Sequence, residues 1–250
     1  MPVETIYGVL MGALRALGLV ALLPTPGSLP MPRVLRVALA VLIAGVLAGT
    51  SRVAPLPETV GGLVTAALHE MLLGLAMGFI GRTAFGAAEM AGRLIANEVG
   101  VVASPGIDAP RPDQEPLPTF ISAFAGMMFF LLGAHESVLA AFARSFDLAP
   151  AGAAAFSPAA AETAVRATSR LIELGLRIAA PFIALNFVVT LGFSILGRAV
   201  PKMNVFIASM AVRALAGIGL LAGAGTLIAR YLSSIYDDMP WWILELVGRA

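Results

Sequence analysis

Two histidines each precede a glutamate, His69-Glu70 and His135-Glu136. A helical zinc site of the H-E-x-x-H kind needs a second histidine four residues on, so that both imidazoles share one face. Leu73 and Leu139 occupy those positions instead. Cysteine is absent, so no thiol nucleophile, thiolate metal site or disulfide can form. Neither a G-x-S-x-G elbow nor a phosphate-cradling G-x-x-x-x-G-K loop occurs. The residues therefore read as those of a non-enzyme with no metal or cofactor site.

The remaining chemistry is charge inside apolar sequence. Glu70, Arg82, Glu89, Arg93 and Glu98 interrupt long hydrophobic blocks. An Asp, Lys or Arg at the centre of a membrane helix costs about 2.5–3.5 kcal/mol on insertion scales. Glu89, Arg93 and Asn97 are four apart and share a helical face, with Arg82 near it. Glu70, Arg82, Glu89, Arg93 and Asn97 make a candidate polar seam, lining an aqueous path or gripping a partner helix. The plainer reading is that Glu89 and Arg93 neutralise each other. Glu98 lies about half a turn away and needs another partner. Further on, Glu162, Arg166, Arg170, Glu173 and Arg177 fall at helical spacing on one face. Val165, Thr168, Ile172, Gly175 and Ala179 are expected opposite this charged stripe.

The elements that must position these groups are apolar. Of 250 residues 59% are hydrophobic and only 12% charged, and mean hydropathy is +0.91. An ordinary soluble domain is about 25% charged. That excludes a soluble enzyme, a disordered chain and a nucleic-acid binder, and leaves an all-α integral membrane protein. Net charge is +1, so no polybasic surface exists. Met1-Pro2-Val3-Glu4 has no basic stretch, so the first apolar block is expected to stay attached.

Apolar blocks run over about 5–23, 34–49 and 59–81, the third continuing toward 102, each near the ~17–25 residues that cross a bilayer. Residues 104–118 hold five prolines and a glycine, which predicts a non-helical loop. Blocks follow over 119–133 and, more briefly, to 146, then a loop over 147–158. A helix is expected from 158, meeting Pro181 and running apolar to 196. The last apolar block spans 203–229, and the tail from 230 is mixed, with Trp241-Trp242 suited to an interface. The 26 glycines and 17 prolines predict kinked, closely packed helices. Gly74-x-x-x-Gly78 and Gly219-x-x-x-Gly223 are small-residue stripes best read as packing within the chain.

The order of features resembles the FliR/SctT family of export-gate proteins, over nearly the whole chain. The resemblance rests on Arg15, Pro24, Pro26-Gly27, Leu29-Pro30 and Arg33, then Glu70, Gly74, Gly78, Ala91-Gly92, Gly100 and Asp108. Gly133-Ala134-His135, Ser145-Phe146 and Pro150 follow. The strongest stretch is Ala180-Pro181-Phe182 through Gly192, Arg198, Pro201 and Met203-Asn204-Val205-Phe206. Ala109 intervenes before Pro110 where the family follows the loop Asp with Pro, and Lys202 stands where it usually has Gln.

The resemblance implies kinked helical hairpins that join a FliP-like part, about 1–158, to a FliQ-like part, about 159–250. It implies a non-enzymatic subunit of the flagellar type III export gate in the bacterial inner membrane, within the basal body. FliP-like, FliQ-like and FlhB-like subunits would be its partners, and unfolded polypeptides its cargo. Around 100–118 it implies a loop that plugs the pore, with Gly100, Ser104, Pro105, Gly106, Ile107, Asp108 and Pro110. Pro181, Arg198, Pro201, Asn204 and Phe206 carry the family motif. The injectisome SctT subunit is the nearest alternative. A small-solute secondary transporter, or a lipid-modifying enzyme using His69, Glu70 or His135, stands further off.

Overall fold

The computed structural model describes residues 3–23, 32–49, 51–100, 115–155, 158–200 and 204–248. Among them the chain forms seven helices and no strand. These are α1 (Val3–Leu22), α2 (Arg33–Leu47), α3 (Val60–Val99), α4 (Pro116–Leu131), α5 (Ala134–Leu148), α6 (Pro158–Ala199) and α7 (Val205–Gly248). The all-α membrane expectation holds. Helices α1, α3, α6 and α7 are each long and apolar enough to cross a bilayer, and α4 with α5 forms a fifth candidate bent by 65°.

Helix α3 is the spine and packs on α1, α4, α6 and α7. Thr59 caps it through its hydroxyl, which accepts from the Gly62 N–H at 3.1 Å. It runs 40 residues without interruption, so the third and continuing blocks are one helix. At 1.5 Å per residue α3, α6 and α7 each reach about 60–66 Å, twice the ~30 Å of hydrocarbon. Each must therefore extend beyond a single bilayer crossing. The buried cluster is continuous from Tyr7 in α1 to Val247 in α7 and so runs through both expected parts of the chain.

Local expectations are corrected in three places. Pro116 and Pro118 belong to the first turn of α4 rather than to a loop. A proline there lacks only a donor that the helix start leaves unused, and its fixed φ already suits a helix. The mixed tail from 230 is not a separate element but the second half of α7. Ile228, Leu232, Ile235, Met239, Ile243 and Leu246 are buried at spacings of three and four, so the tail supplies core. On α6, Gly175 and Ala179 are buried, but Val165 and Ile172 are exposed beside the charged stripe.

Gly133 lies between α4 and α5 with φ +68°, a backbone region that costs other residues strain, and there the chain turns through its 65° bend. Near this bend Phe85, Phe129 and Tyr236 pack ring to ring, with centroids 5.3–5.9 Å apart. The Tyr236 hydroxyl donates to the Ala125 carbonyl at 2.7 Å. That carbonyl also accepts the helix's own N–H, so the extra bond adds little. Tyr236→Phe is expected to cost about 1 kcal/mol, read as a small drop in the melting temperature of the purified chain.

Candidate functional site

Arg15, Glu70 and Ser145 are completely buried and meet in one polar centre. Arg15 Nε donates to Glu70 Oε2 at 2.6 Å and Nη2 to Oε1 at 2.9 Å, a two-pronged pair. Its Nη1 donates to Ser145 Oγ at 3.0 Å and Nη2 to the Ala149 carbonyl at 2.8 Å. The guanidinium carbon sits 4.2 Å from the centre of the Phe146 ring, within cation–π range. Glu70 Oε1 also accepts the Gly152 N–H at 2.8 Å. One ion pair thus joins α1 to α3, to the end of α5, and to the segment after it.

The surrounding backbone is built to allow this. A Cβ on Gly74 would lie 2.1 Å from the Arg15 carbonyl oxygen, and one on Gly78 would lie 2.6 Å from that of Leu19. Gly18 answers from α1, where a Cβ would meet the Leu75 nitrogen at 2.6 Å. The first small-residue stripe therefore packs within the chain, as expected. Gly152 has φ +90°, and a Cβ there would lie 2.2 Å from the Tyr7 hydroxyl oxygen and 2.8 Å from its ring. Its neighbour Ala151 pairs with the 52–54 segment, donating to the Arg52 carbonyl and accepting from the Ala54 N–H, each at 2.9 Å.

Glu70 leaves the polar seam for the buried centre. Arg82, Glu89, Arg93 and Asn97 remain together on the exposed side of α3, and Glu89 and Arg93 pair at 2.5 Å. Glu98 finds its partner in Asn186 of α6, whose amide donates to it. Of the charged stripe, Glu173 pairs with Arg170 at 3.1 Å and with Arg177 at 2.5 Å, on an open face. Arg166 reaches Glu162 at 3.8 Å and crosses to Glu245 of α7 at 3.3 Å. A groove of about 150 Å³ runs between α3 and α6, lined by Gly86, Met90, Thr168 and Ile172 among others.

Of the family-motif residues, Pro181 lies inside α6, where its missing N–H leaves the Arg177 carbonyl without its helical donor. Arg198 is exposed in the last turn of α6. Asn204 starts α7, its side-chain oxygen accepting from the Ile207 N–H at 3.3 Å. Phe206 is exposed. Gly100 caps α3 through its N–H to the Ala96 carbonyl. Ser104, Pro105, Gly106, Ile107, Asp108, Pro110 and Pro201 lie outside the described residues, as do Pro24, Pro26, Gly27, Leu29 and Pro30.

Past Phe182 the α6–α7 hairpin changes character. No residue from 183 to 199 is buried, and from 205 to 223 only Ser209 and Gly217 are. Ile183, Phe187, Val188, Leu191, Phe206 and Leu215 all stand open. The second small-residue stripe belongs to this bare zone, since neither Gly219 nor Gly223 has anything within 4 Å of a notional Cβ. An apolar surface this large needs lipid or another protein chain against it.

A long, greasy helical assembly with one deeply pinned centre and a bare hairpin is what a packed membrane subunit presents. The chain belongs to the family of bacterial export proteins, family 1, whose pattern matches residues 6–239. It is similar to the flagellar biosynthetic protein FliR of Caulobacter vibrioides, 28% identical over 231 residues that cover 90% of this chain and 91% of that one. To FliR of Escherichia coli it is 24% identical over 236 residues, covering 94% and 90%. To the Yop proteins translocation protein T of Yersinia pestis it is 29% identical over 152 residues, covering 58% and 56%.

Proposed function

We propose that this chain is a non-enzymatic subunit of the flagellar type III protein export gate in the bacterial inner membrane, at the basal body. The match to flagellar relatives over nine-tenths of both chains carries the reading. The match to the Yersinia translocation protein supports the injectisome counterpart, though over little more than half of each chain. The bare hairpin and open face of α2 offer surfaces for FliP-like, FliQ-like and FlhB-like neighbours. The exposed seam on α3 and the stripe on α6 are surfaces that a hydrated pore or a polar groove between subunits can use. The 1–158 and 159–250 parts supply the FliP-like and FliQ-like contributions.

Purification of the tagged full chain from its own membranes tests the assembly. It should arrive in a large hetero-oligomer, whereas a lone monomer, active as a transporter or an enzyme, would overturn the reading.

The segment after Gly100, with Ser104, Pro105, Gly106, Ile107, Asp108 and Pro110, is the proposed plug of the closed pore, by resemblance to the family. Deleting residues 106–113 should leave the complex assembled but leaky to small ions. Unchanged membrane conductance with the assembly intact would remove the plug role.

A further inference from the structure

Arg213 is the only charged residue between the start of α7 at Val205 and Arg230. Its Nη2 donates to the Thr190 hydroxyl of α6 at 3.0 Å, a neutral partner. Its Nε is buried and has no hydrogen-bond partner among the described residues. No carboxylate there forms an ion pair with it; Glu98 stands one step away, reached from Thr190 through Asn186. A guanidinium with a single neutral acceptor leaves most of its donors available to an anion.

Its depth fits a headgroup. Ala214 to Ala229 is an uncharged run of 16 residues between Arg213 and Arg230. At 1.5 Å per residue the two arginines lie about 25 Å apart along the helix. With both side chains reaching outward, that matches a hydrocarbon core of about 30 Å. Arg213 then sits at one boundary of the bilayer, where phosphates lie.

One helical turn further along α7 an apolar groove begins. Its first portion, about 350 Å³, is lined by Val99, Leu117, Phe120, Gly217, Ile218 and Leu221. A second portion of about 380 Å³ shares Phe120, Ile218 and Leu221 and continues past Phe124 and Gly225 to Ile228. No lining side chain can hydrogen-bond. From Gly217 to Ile228 the groove follows about 16 Å of helix, half the ~30 Å core and so the depth of one leaflet. It is too small to admit a helix of about 10–12 Å diameter, but it suits a slender chain.

We propose that this groove between α4 and α7 holds an acyl chain of an anionic phospholipid whose phosphate pairs with Arg213. Basic residues between membrane helices recognise such headgroups by charge, and the groove supplies the apolar half.

The test uses the full chain with any partners it retains, in phosphatidylcholine vesicles. These carry either phosphatidylglycerol or phosphatidylcholine with a photoactivatable group on the acyl chain. The phosphatidylglycerol probe should label Phe120, Phe124 and Leu221 about fivefold more strongly, the effect of one arginine near a headgroup. Arg213→Gln should bring the two probes level, while Arg213→Lys keeps the preference. Equal labelling by both probes in the unaltered protein would overturn the proposal without reference to any variant. So would labelling of a neighbouring polypeptide at these positions in place of lipid.

Discussion

Arg15→Ala is expected to cost about 3–5 kcal/mol of stability, as removal of one partner from a buried ion pair does, and to stop assembly. The substitution leaves the Glu70 carboxylate fully buried with, among the described residues, only the Gly152 N–H as its donor. It also strands Ser145 Oγ and the Ala149 carbonyl, both of which Arg15 serves. Three contacts among distant parts of the chain vanish together, because one guanidinium makes them all. The penalty comes chiefly from the carboxylate left behind, so Glu70→Gln in the same chain should recover part of it. The level of the chain in a native-gel complex reads both effects. Full assembly of Arg15→Ala alone would show that the buried pair is dispensable.

Gly74→Val should be comparably severe, about 3 kcal/mol or more, at or above the usual cost of overpacking. The added Cβ would fall 2.1 Å from the Arg15 carbonyl oxygen, a backbone atom that cannot rotate away. Relief requires α1 to retreat from α3, and that movement pulls Arg15 off Glu70. The two lesions share one mechanism, so Arg15→Ala combined with Gly74→Val should cost clearly less than their sum. Gly61→Val in the first turn of α3 is the control, since nothing lies within 4 Å of a Cβ there. It should assemble as the unaltered chain does. Equal behaviour of the two glycine variants would mean that the close approach of α1 and α3 is not needed.

Much of this architecture is legible in the residues. Block lengths locate the helices, and Gly74 with Gly78 announces a close crossing. The charged spacing from Glu162 to Arg177 identifies one exposed face. The pairing of Arg15 with Glu70 is not legible, because 55 residues separate them and a single sequence carries no record of contact. Spacing alone therefore groups Glu70 with Arg82 and Glu89, which share its helix but not its side. The packing of the tail is legible in its spacing, though its polar residues mask it. Ile228, Leu232, Ile235, Met239, Ile243 and Leu246 repeat at helical spacing, but Asp237, Asp238 and Pro240 among them suggest an interruption. Those residues disturb the exposed side of α7 or lie at its margin, while the apolar face continues. Composition registers the greasiness of the hairpin, and only the fold shows that most of it meets no other part of the described chain.

A chain that completes a gate for flagellar protein export is one whose loss stops that export. The most direct measurement deletes its gene and follows flagellar subunits in the culture medium, with complementation by the unaltered chain and by Arg15→Ala. Secretion and motility should disappear, return with the unaltered chain, and stay absent with Arg15→Ala. Normal secretion of flagellar proteins in the deletion strain would contradict it.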